Sequence, residues 1–149
     1  MSAPSIRILR VGPVQVPLPS YQTPGSAGFD LCAAIEAPVE LGCGERRLIP
    51  TGIALAIPHG YEGQVRPRSG LARSAGVTIL NSPGTIDSDF RGMIGVVLVN
   101  LGQRPVVIEP LERIAQLVVA PVLVADLVLV DELDQTERGS GGYGSTCRS

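Results

Sequence analysis

Residues 46–67 read RRLIPTGIALAIPHGYEGQVRP, and this stretch decides the fold class. It contains three short runs rich in β-branched and other apolar residues, at 46–49, 53–57 and 63–67, with glycine and proline between them. Runs of four or five such residues bounded by turn-forming residues predict strands. Closely spaced short strands are typical of an all-β barrel or sandwich, so we expect an all-β fold.

The same pattern continues along most of the chain, which has 17 valines and 11 isoleucines among its 149 residues. Only residues 69–74 favour a helical turn, for which Ser69 is the expected N-cap. No segment keeps a helical period over three turns. Further strands are predicted at residues 6–11, 29–34, 77–80, 93–99, 106–108, 114–119 and 127–130.

Composition excludes several classes of function. A chain of 149 residues is expected to form one domain with a substantial core. All twelve basic residues are arginine, which excludes a lysine-containing phosphate loop, a Schiff-base enzyme and a lysine nucleophile. The net charge of −2 makes nucleic acid an unexpected partner.

The cellular setting is predicted from what the sequence lacks. The longest apolar run, residues 117–125, has nine residues and a proline, whereas a membrane span needs about 20. The first residues carry no signal-peptide pattern, so we expect a cytoplasmic protein that does not bind membranes. Three cysteines without CxxC spacing predict free thiols in a reducing compartment.

Residues 117–130 are apolar nearly throughout and do not alternate with polar residues. A strand covered on both faces has this pattern, and a neighbouring subunit would supply the second cover. An internal sandwich strand is the alternative. The glycine-rich residues 137–149 predict either a disordered tail or a strap that becomes ordered on a phosphate ligand.

Candidate chemistry lies in two short segments. Asp87 and Asp89 belong to the glycine-flanked stretch 84–92, which predicts either a solvated hairpin tip or a backbone edge for a flat ligand. The segment 68–70, Arg-Ser-Gly, opens the helical turn and predicts either an anion-binding helix N-terminus or an ordinary N-cap beside a surface arginine. His59, the only histidine, lies in a Pro-His-Gly segment and is expected to be a solvated turn residue.

Five segments in order carry a resemblance over nearly the whole chain: PGSAGFDL at 24–31, PRSGLA at 67–72, residues 81–92, RIAQ at 113–116 and RGSGGYGST at 138–146. Together they resemble the trimeric deoxyuridine triphosphate nucleotidohydrolases, or dUTPases. The resemblance implies a jelly-roll-like β-barrel of the β-clip type and a homotrimer. It also implies a barrel domain at residues 1–136 and a tail at 137–149 that closes over a neighbouring active site.

The resemblance implies Mg²⁺-assisted hydrolysis of dUTP to dUMP and pyrophosphate, which supplies dUMP for thymidylate synthesis and keeps uracil out of DNA. Asp87 would orient and deprotonate the water that attacks the α-phosphorus in line with the leaving group. Asp89 is not expected to share this role. The substrate phosphates would hold most of the Mg²⁺ coordination, with Asp30 acting through water.

The implied substrate contacts fall into three groups. Phe90, where the family usually has tyrosine, would lie flat on the deoxyribose. Tyr143, which replaces a phenylalanine, would stack on uracil. The base edge is assigned to Asn81, Gly84, Thr85, Ile86 and Gly95, and the phosphates to Arg68, Ser69, Gly70, Arg113, Gln116, Arg138, Gly144 and Ser145.

Two other functions remain as alternatives. One is a dCTP deaminase or a bifunctional deaminase–dUTPase of the same superfamily. The other is a non-catalytic trimer that senses nucleotide or binds protein. The hairpin segment 84–89 and the complete glycine-rich fifth motif favour a plain dUTPase, and an intact Asp87 argues against a pure binder.

Overall fold

The computed structural model describes residues 3–142, which contain eleven strands and one helix. The prediction of an all-β fold with one short helical element is therefore confirmed. The strands are β1 (Arg7–Arg10), β2 (Gly28–Cys32), β3 (Val39–Leu41), β4 (Arg46–Pro50), β5 (Ile53–Ala56), β6 (Tyr61–Pro67), β7 (Val77–Ile79), β8 (Gly84–Ile86), β9 (Gly95–Asn100), β10 (Val106–Ile108) and β11 (Arg113–Pro121). The helix α1 is Ser69–Ala75.

The described strands form four antiparallel sheets. The largest has the order β2-β11-β6-β8, and a second has the order β4-β9-β7. Two further pairs are β1 with β5 and β3 with β10. The scarcity of aromatic residues leaves Leu, Ile and Val to fill the core, and Leu31, Leu117, Ile49, Val96 and Leu98 are almost fully buried.

Strand β2 shows how the sequence sorts polar and apolar residues between the two faces of the largest sheet. Phe29 and Leu31 are buried in the core, whereas Asp30 between them points the other way and is partly exposed. Side chains alternate along a strand, so the core contacts of Phe29 and Leu31 fix the outward direction of Asp30.

The short helix directly follows β6. Arg68 is its N-cap, with extended backbone and no side-chain cap bond, so the prediction of Ser69 as the N-cap is wrong. Pro67 ends the strand, and Ser69 is already the first helical residue. The helix ends at Gly76, whose φ of 71° lies in the left-handed region that glycine tolerates best.

Within residues 3–142 no helix has the length and apolar character needed to cross a membrane.

The strand predicted at residues 127–130 is absent from the structure, so that prediction is wrong. Strand geometry requires a neighbouring strand, and no described segment of this chain pairs with these residues. The side chains of Leu127 and Leu129 are 95% and 99% exposed.

The sequence analysis also missed β3 and β8, which have only three residues each and depend on their partners β10 and β6.

Candidate functional site

The outward-facing carboxylate of Asp30 binds two arginines. Its Oδ1 lies 3.2 Å from Arg68 Nε, and its Oδ2 lies 3.1 Å from Arg113 Nη1. Arg68 also donates a hydrogen bond of 3.0 Å to the Arg113 carbonyl oxygen, which links the two arginines directly. The Asp30 side chain is only 18% exposed, so solvent screens these pairs less than it screens surface ion pairs. We call Asp30, Arg68, Arg113 and Gln116 the arginine corner.

Strand register explains why residues far apart in sequence meet at the arginine corner. Asp30 of β2 and Arg66 of β6 both lie opposite Gln116 of the central strand β11. Gln116 donates a hydrogen bond of 3.1 Å to the Pro67 carbonyl oxygen. That bond ties β11 to the end of β6, just before Arg68.

An irregularity in β11 brings Arg113 to the same side as Gln116. Residues three apart on a regular strand point to opposite faces. The register shifts between Arg113 and Ala115, so Arg113 pairs with Cys32 while Gln116 pairs with Asp30. Cys32 and Asp30 share a face of β2, and therefore Arg113 and Gln116 also share one. A bulge that redirects a side chain in this way is a recurrent feature beside active sites.

The arginine corner has a net positive charge, because two guanidinium groups face one carboxylate. Such a corner suits a ligand with several negative charges.

Desolvation by burial, followed by the nearby Asp30 carboxylate, raises the pKa of the Cys32 thiol. Cys32 therefore stays protonated and is a poor nucleophile. Cys32 and Cys43 are free thiols, as predicted, and Cys147 lies outside the described residues.

Ser69 and Gly70 follow Arg68 in the first turn of α1, and both are exposed. No atom lies within 4 Å of the position that a Cβ on Gly70 would occupy. The space in front of these two residues is therefore open to a ligand that also reaches the arginine corner.

The second group of predicted residues lies on the segment 81–92. The prediction of a hairpin there is wrong, because among the described strands its one strand, β8, pairs with β6 and not with a second strand of the segment. Strand β8 is the edge strand of the largest sheet and pairs with β6. The Asn81 amide nitrogen lies 3.4 Å from the position of a Cβ on Gly84, so the amide covers this glycine. Thr85 is exposed and Ile86 is half-buried, and both backbones belong to the sheet edge.

Asp87 follows β8 and is exposed. Its carbonyl accepts a 3.2 Å hydrogen bond from the Phe90 backbone N–H, which closes a turn over residues 87–90. A Cβ on Gly92 would lie 2.6 Å from Phe90 Cζ, so only glycine lets the ring lie over the backbone there. The ring is 42% exposed and presents a free face.

A cavity of about 610 Å³ lies next to Asp87. Its lining includes His59 from the turn before β6 and Tyr61 from the start of β6, together with Thr85 and Asp89. His59 itself is exposed in the turn between β5 and β6, as predicted.

Strand β6 separates the Asp87 carboxylate from the arginine corner within one chain. Ile86 pairs with Gly63 near the start of β6, and Arg68 follows the end of the same strand. Five residues at about 3.3 Å each place Ile86 roughly 17 Å from Arg68 along the strand. Asp87 continues toward Tyr61, further from Arg68, since both line the same cavity. A single chain therefore does not bring Asp87 to the arginine corner.

The remaining predicted residues lie elsewhere. Gly95 is on β9 in the other large sheet, where a Cβ would lie 2.6 Å from Leu48 Cδ1. Arg138 is exposed, and its Nε donates a local 2.9 Å hydrogen bond to the Gly141 carbonyl. Three predicted substrate contacts lie outside the described residues: Tyr143, Gly144 and Ser145.

Sequence reasoning gave no role to Arg91, which directly follows Phe90. Its Nη1 donates hydrogen bonds to the carbonyls of Ser88 (2.7 Å) and Phe90 (2.8 Å). The one feature of the sequence that could have indicated Arg91 was its position between Phe90 and Gly92, at the end of the segment 84–92.

The described residues contain no group of three or more His, Cys, Asp or Glu side chains able to enclose a metal ion. Both oxygens of Asp30 already face arginines, although a carboxylate oxygen has a second lone pair for a water molecule. The donor set thus fits Mg²⁺ only as an ion that keeps its waters and is bound largely by substrate phosphates.

Comparison with known proteins identifies the family of this chain. The family model described as dUTPase matches residues 14–147. The chain belongs to the dUTPase family. A deoxyuridine 5'-triphosphate nucleotidohydrolase of Anaeromyxobacter sp. (strain Fw109-5) is 58% identical over 146 residues, covering 97% of this chain and 98% of the relative. The enzyme of the same name from Methylocella silvestris is 59% identical over 133 residues, covering 88% of this chain and 83% of the relative.

The fold agrees with a solved dUTPase. The dUTPase of Staphylococcus bacteriophage 80alpha, solved with dUPNHPP, has a TM-score of 0.86 and 26% identity to this chain. The match covers 96% of this chain and 98% of the phage protein. The predictions of a dUTPase fold and of a dUTP diphosphatase are confirmed by these relatives.

Proposed function

We propose that this dUTPase hydrolyses dUTP to dUMP and pyrophosphate by in-line attack of water on the α-phosphorus, at sites shared between copies of the chain. The observation that carries the proposal is the arginine corner, where one half-buried carboxylate orients two guanidinium groups. A triphosphate with roughly four negative charges requires such counter-charge, and this chain has no lysine to supply it.

Phosphate binding is assigned to the arginine corner and to the first turn of α1. Arg68 and Arg113 are held by Asp30, so their guanidinium groups are oriented before substrate arrives. Ser69 and Gly70 contribute a hydroxyl and backbone N–H groups at an open surface. Arg138 and the backbone of Gly144 and Ser145 would complete the contacts to the γ-phosphate when the tail closes.

Asp87 is the proposed general base. Its carboxylate is exposed next to a cavity of about 610 Å³, where it can contact a water molecule directly. It accepts a proton from the water that attacks phosphorus, while the pyrophosphate oxygen leaves on the opposite side. The conformation of the turn over residues 87–90, which carries Asp87, would set the direction from which this carboxylate approaches the water.

Mg²⁺ is the proposed cofactor. When bound to the phosphates it neutralises part of the charge on the leaving pyrophosphate. Asp30 is the residue that would accept hydrogen bonds from its water ligands, through the lone pairs that the arginines leave free.

Base recognition is assigned to the β8 edge, where Gly84, Thr85 and Ile86 expose backbone N–H and C=O groups near the Asn81 amide. Cytosine reverses the donor and acceptor pattern of uracil at two atoms. Each buried group left unpaired costs about 1–3 kcal/mol. A base bound closely along this strand edge would also leave no room for the thymine methyl group.

The flat ring of Phe90 is assigned to the deoxyribose, where a 2′-hydroxyl would be desolvated. The backbone of Gly95 and the ring of Tyr143 complete the proposed contacts to the base. Discrimination against ribose therefore rests on the packing of the Phe90 ring, which Gly92 permits.

A homotrimer with shared sites is supported by two observations. Asp87 and the arginine corner lie at opposite ends of β6, so a complete site needs a second copy. The apolar side chains of residues 122–133 are largely exposed in the single chain, as subunit-interface side chains would be. We further propose that residues 1–136 form the barrel domain and that residues 137–149 close over a neighbouring site.

The proposed physiological role is to supply dUMP for thymidylate synthesis and to keep uracil out of DNA, in the cytoplasm and without a nucleic-acid or membrane partner. The test is pyrophosphate release from dUTP, dTTP, dCTP and UTP at equal concentration. We expect rapid release from dUTP alone. Ammonia release from dCTP would instead indicate a deaminase, and no turnover of any nucleotide would indicate a binding protein.

A further inference from the structure

The turn that carries Asp87 and Phe90 has little backbone support. It lies between the end of β8 at Ile86 and the start of β9 at Gly95. Among the described residues, one backbone hydrogen bond closes it, from the Phe90 N–H to the Asp87 carbonyl. Most of the turn is exposed, so core packing does not hold it in one conformation.

Arg91 supplies the missing support from a single atom. Its Nη1 donates to the Ser88 carbonyl at 2.7 Å and to the Phe90 carbonyl at 2.8 Å. One carbonyl belongs to the centre of the turn and the other to the residue whose ring faces outward. Hydrogen bonds from a charged donor are stronger than those between neutral groups.

We propose that Arg91 is a positioning residue, which clamps the turn so that the Asp87 carboxylate and the Phe90 ring keep a fixed relative geometry. This inference rests on the proposed function of Asp87 and Phe90. Arg91 acts through these two residues and does not touch substrate. Loss of the clamp should therefore slow the chemical step and weaken the discrimination between dUTP and UTP together.

The test compares Arg91→Met, which keeps the length of the side chain but has no donor, with Arg91→Lys. Both bonds come from one nitrogen, so an ammonium group can replace both. For Arg91→Met we expect kcat for dUTP to fall about tenfold or more, since small misplacements of catalytic groups have large rate effects. The KM should stay within about threefold. Arg91→Lys should recover kcat to within about threefold of the wild-type value.

The ratio of kcat/KM for dUTP to that for UTP separates positioning from a general loss of folded protein. A smaller active fraction lowers both rates equally and leaves the ratio unchanged, whereas a displaced Phe90 ring lowers the ratio. We expect a drop of about threefold or more in Arg91→Met and a near-normal ratio in Arg91→Lys. Arg46→Met, at an exposed arginine of β4, is the matched control and should leave the ratio and kcat unchanged.

An unchanged ratio in Arg91→Met would overturn the proposal, whether kcat falls or not. A rise in KM for dUTP with kcat unchanged would also overturn it, because it would indicate direct substrate contact. If Arg91→Met does not fold, Arg91→Gln takes its place, with the same losses expected from its shorter, neutral side chain. Wild-type protein and Asp87→Asn are assayed in parallel, and normal turnover by Asp87→Asn would refute the proposed base and not the clamp.

Discussion

The arginine corner and the turn over residues 87–90, which carries Asp87, are built in different ways. Three paired strands form the corner, and its central Asp30 side chain is 18% exposed and bound to two arginines. The Asp87 carboxylate lies on an exposed turn closed by one backbone bond and by Arg91. The proposed phosphate-binding side is therefore held within one chain, whereas the proposed catalytic side depends on its own turn and, if the site is shared, on a second copy.

The two regions are therefore suited to different proposed tasks, phosphate binding at the arginine corner and proton acceptance at Asp87. A triphosphate needs charge held in place before it binds, which a sheet with fixed register provides. The proposed base needs access to water and, in a shared site, to a phosphorus atom bound by another chain, and an exposed turn provides this access. Mutations in the arginine corner and in the turn that carries Asp87 should therefore have different effects.

The largest effect is expected at Asp87. In Asp87→Asn the amide cannot accept the water proton, so kcat for dUTP should fall by about 10³-fold or more while nucleotide binding is retained. Calorimetric titration with a non-hydrolysable dUTP analogue, together with pyrophosphate release, measures both properties. Asp89→Asn removes the same charge from the same turn and serves as the control. Equal losses in the two variants would contradict the specific role of Asp87.

A smaller but still large effect is expected when residues 137–149 are removed. The tail should close the site and contribute little to the core, so activity should fall about 10²-fold while the assembly persists. Light scattering reports the mass of the assembly, and pyrophosphate release reports activity. Dissociation of the truncated protein would show that the tail is structural, and full activity would show that closure is unnecessary.

At the arginine corner, Asp30→Asn should mainly impair substrate binding. The amide leaves Arg68 and Arg113 without their counter-charge and free to change conformation. We expect kcat/KM for dUTP to fall about tenfold, mostly through KM. Glu40→Gln, at an exposed residue of β3, is the control for lost negative charge. An unchanged KM in Asp30→Asn would contradict the proposed preorganisation.

The smallest effect concerns stability and lies outside both regions. The hydrogen bond from the Gly42 backbone N–H, and then Arg47, lower the pKa of Glu45. The stabilisation is therefore present above the unfolded pKa of about 4.3 and is lost as pH falls through the lower folded pKa. Glu45→Gln should unfold at slightly lower urea concentration than wild type at pH 7, with the difference shrinking in acid. A constant difference across pH would contradict this linkage, and Glu36→Gln is the exposed control.

Much of the fold could be predicted because β-branched runs and turn residues are local signals. Strands β4, β5 and β6 lie close to their predicted positions for this reason. Strand β8 could not be predicted, because its three residues are held by pairing with β6 and not by their own propensity. The false strand at 127–130 has strand-forming residues but no partner within the described chain.

The site was less accessible to sequence reasoning than the fold. The motifs named Asp30, Arg68 and Arg113, but the bulge that brings Arg113 to the Asp30 face depends on pairing between β2 and β11. The separation of Asp87 from Arg68 depends on the register of β6. Arg91 was missed because bonds to backbone carbonyls leave no motif in a sequence.

Each proposed active site takes its base from one copy of the chain and its arginine corner from another. The direct test mixes Asp87→Asn chains with Arg68→Met chains, each nearly inactive alone, and confirms mixed trimers by native mass spectrometry. If the two residues act across an interface, random mixing in a cyclic trimer makes about a quarter of the sites intact, with activity to match. Mixed trimers no more active than either parent would contradict the claim, because both residues would then belong to the same chain's site.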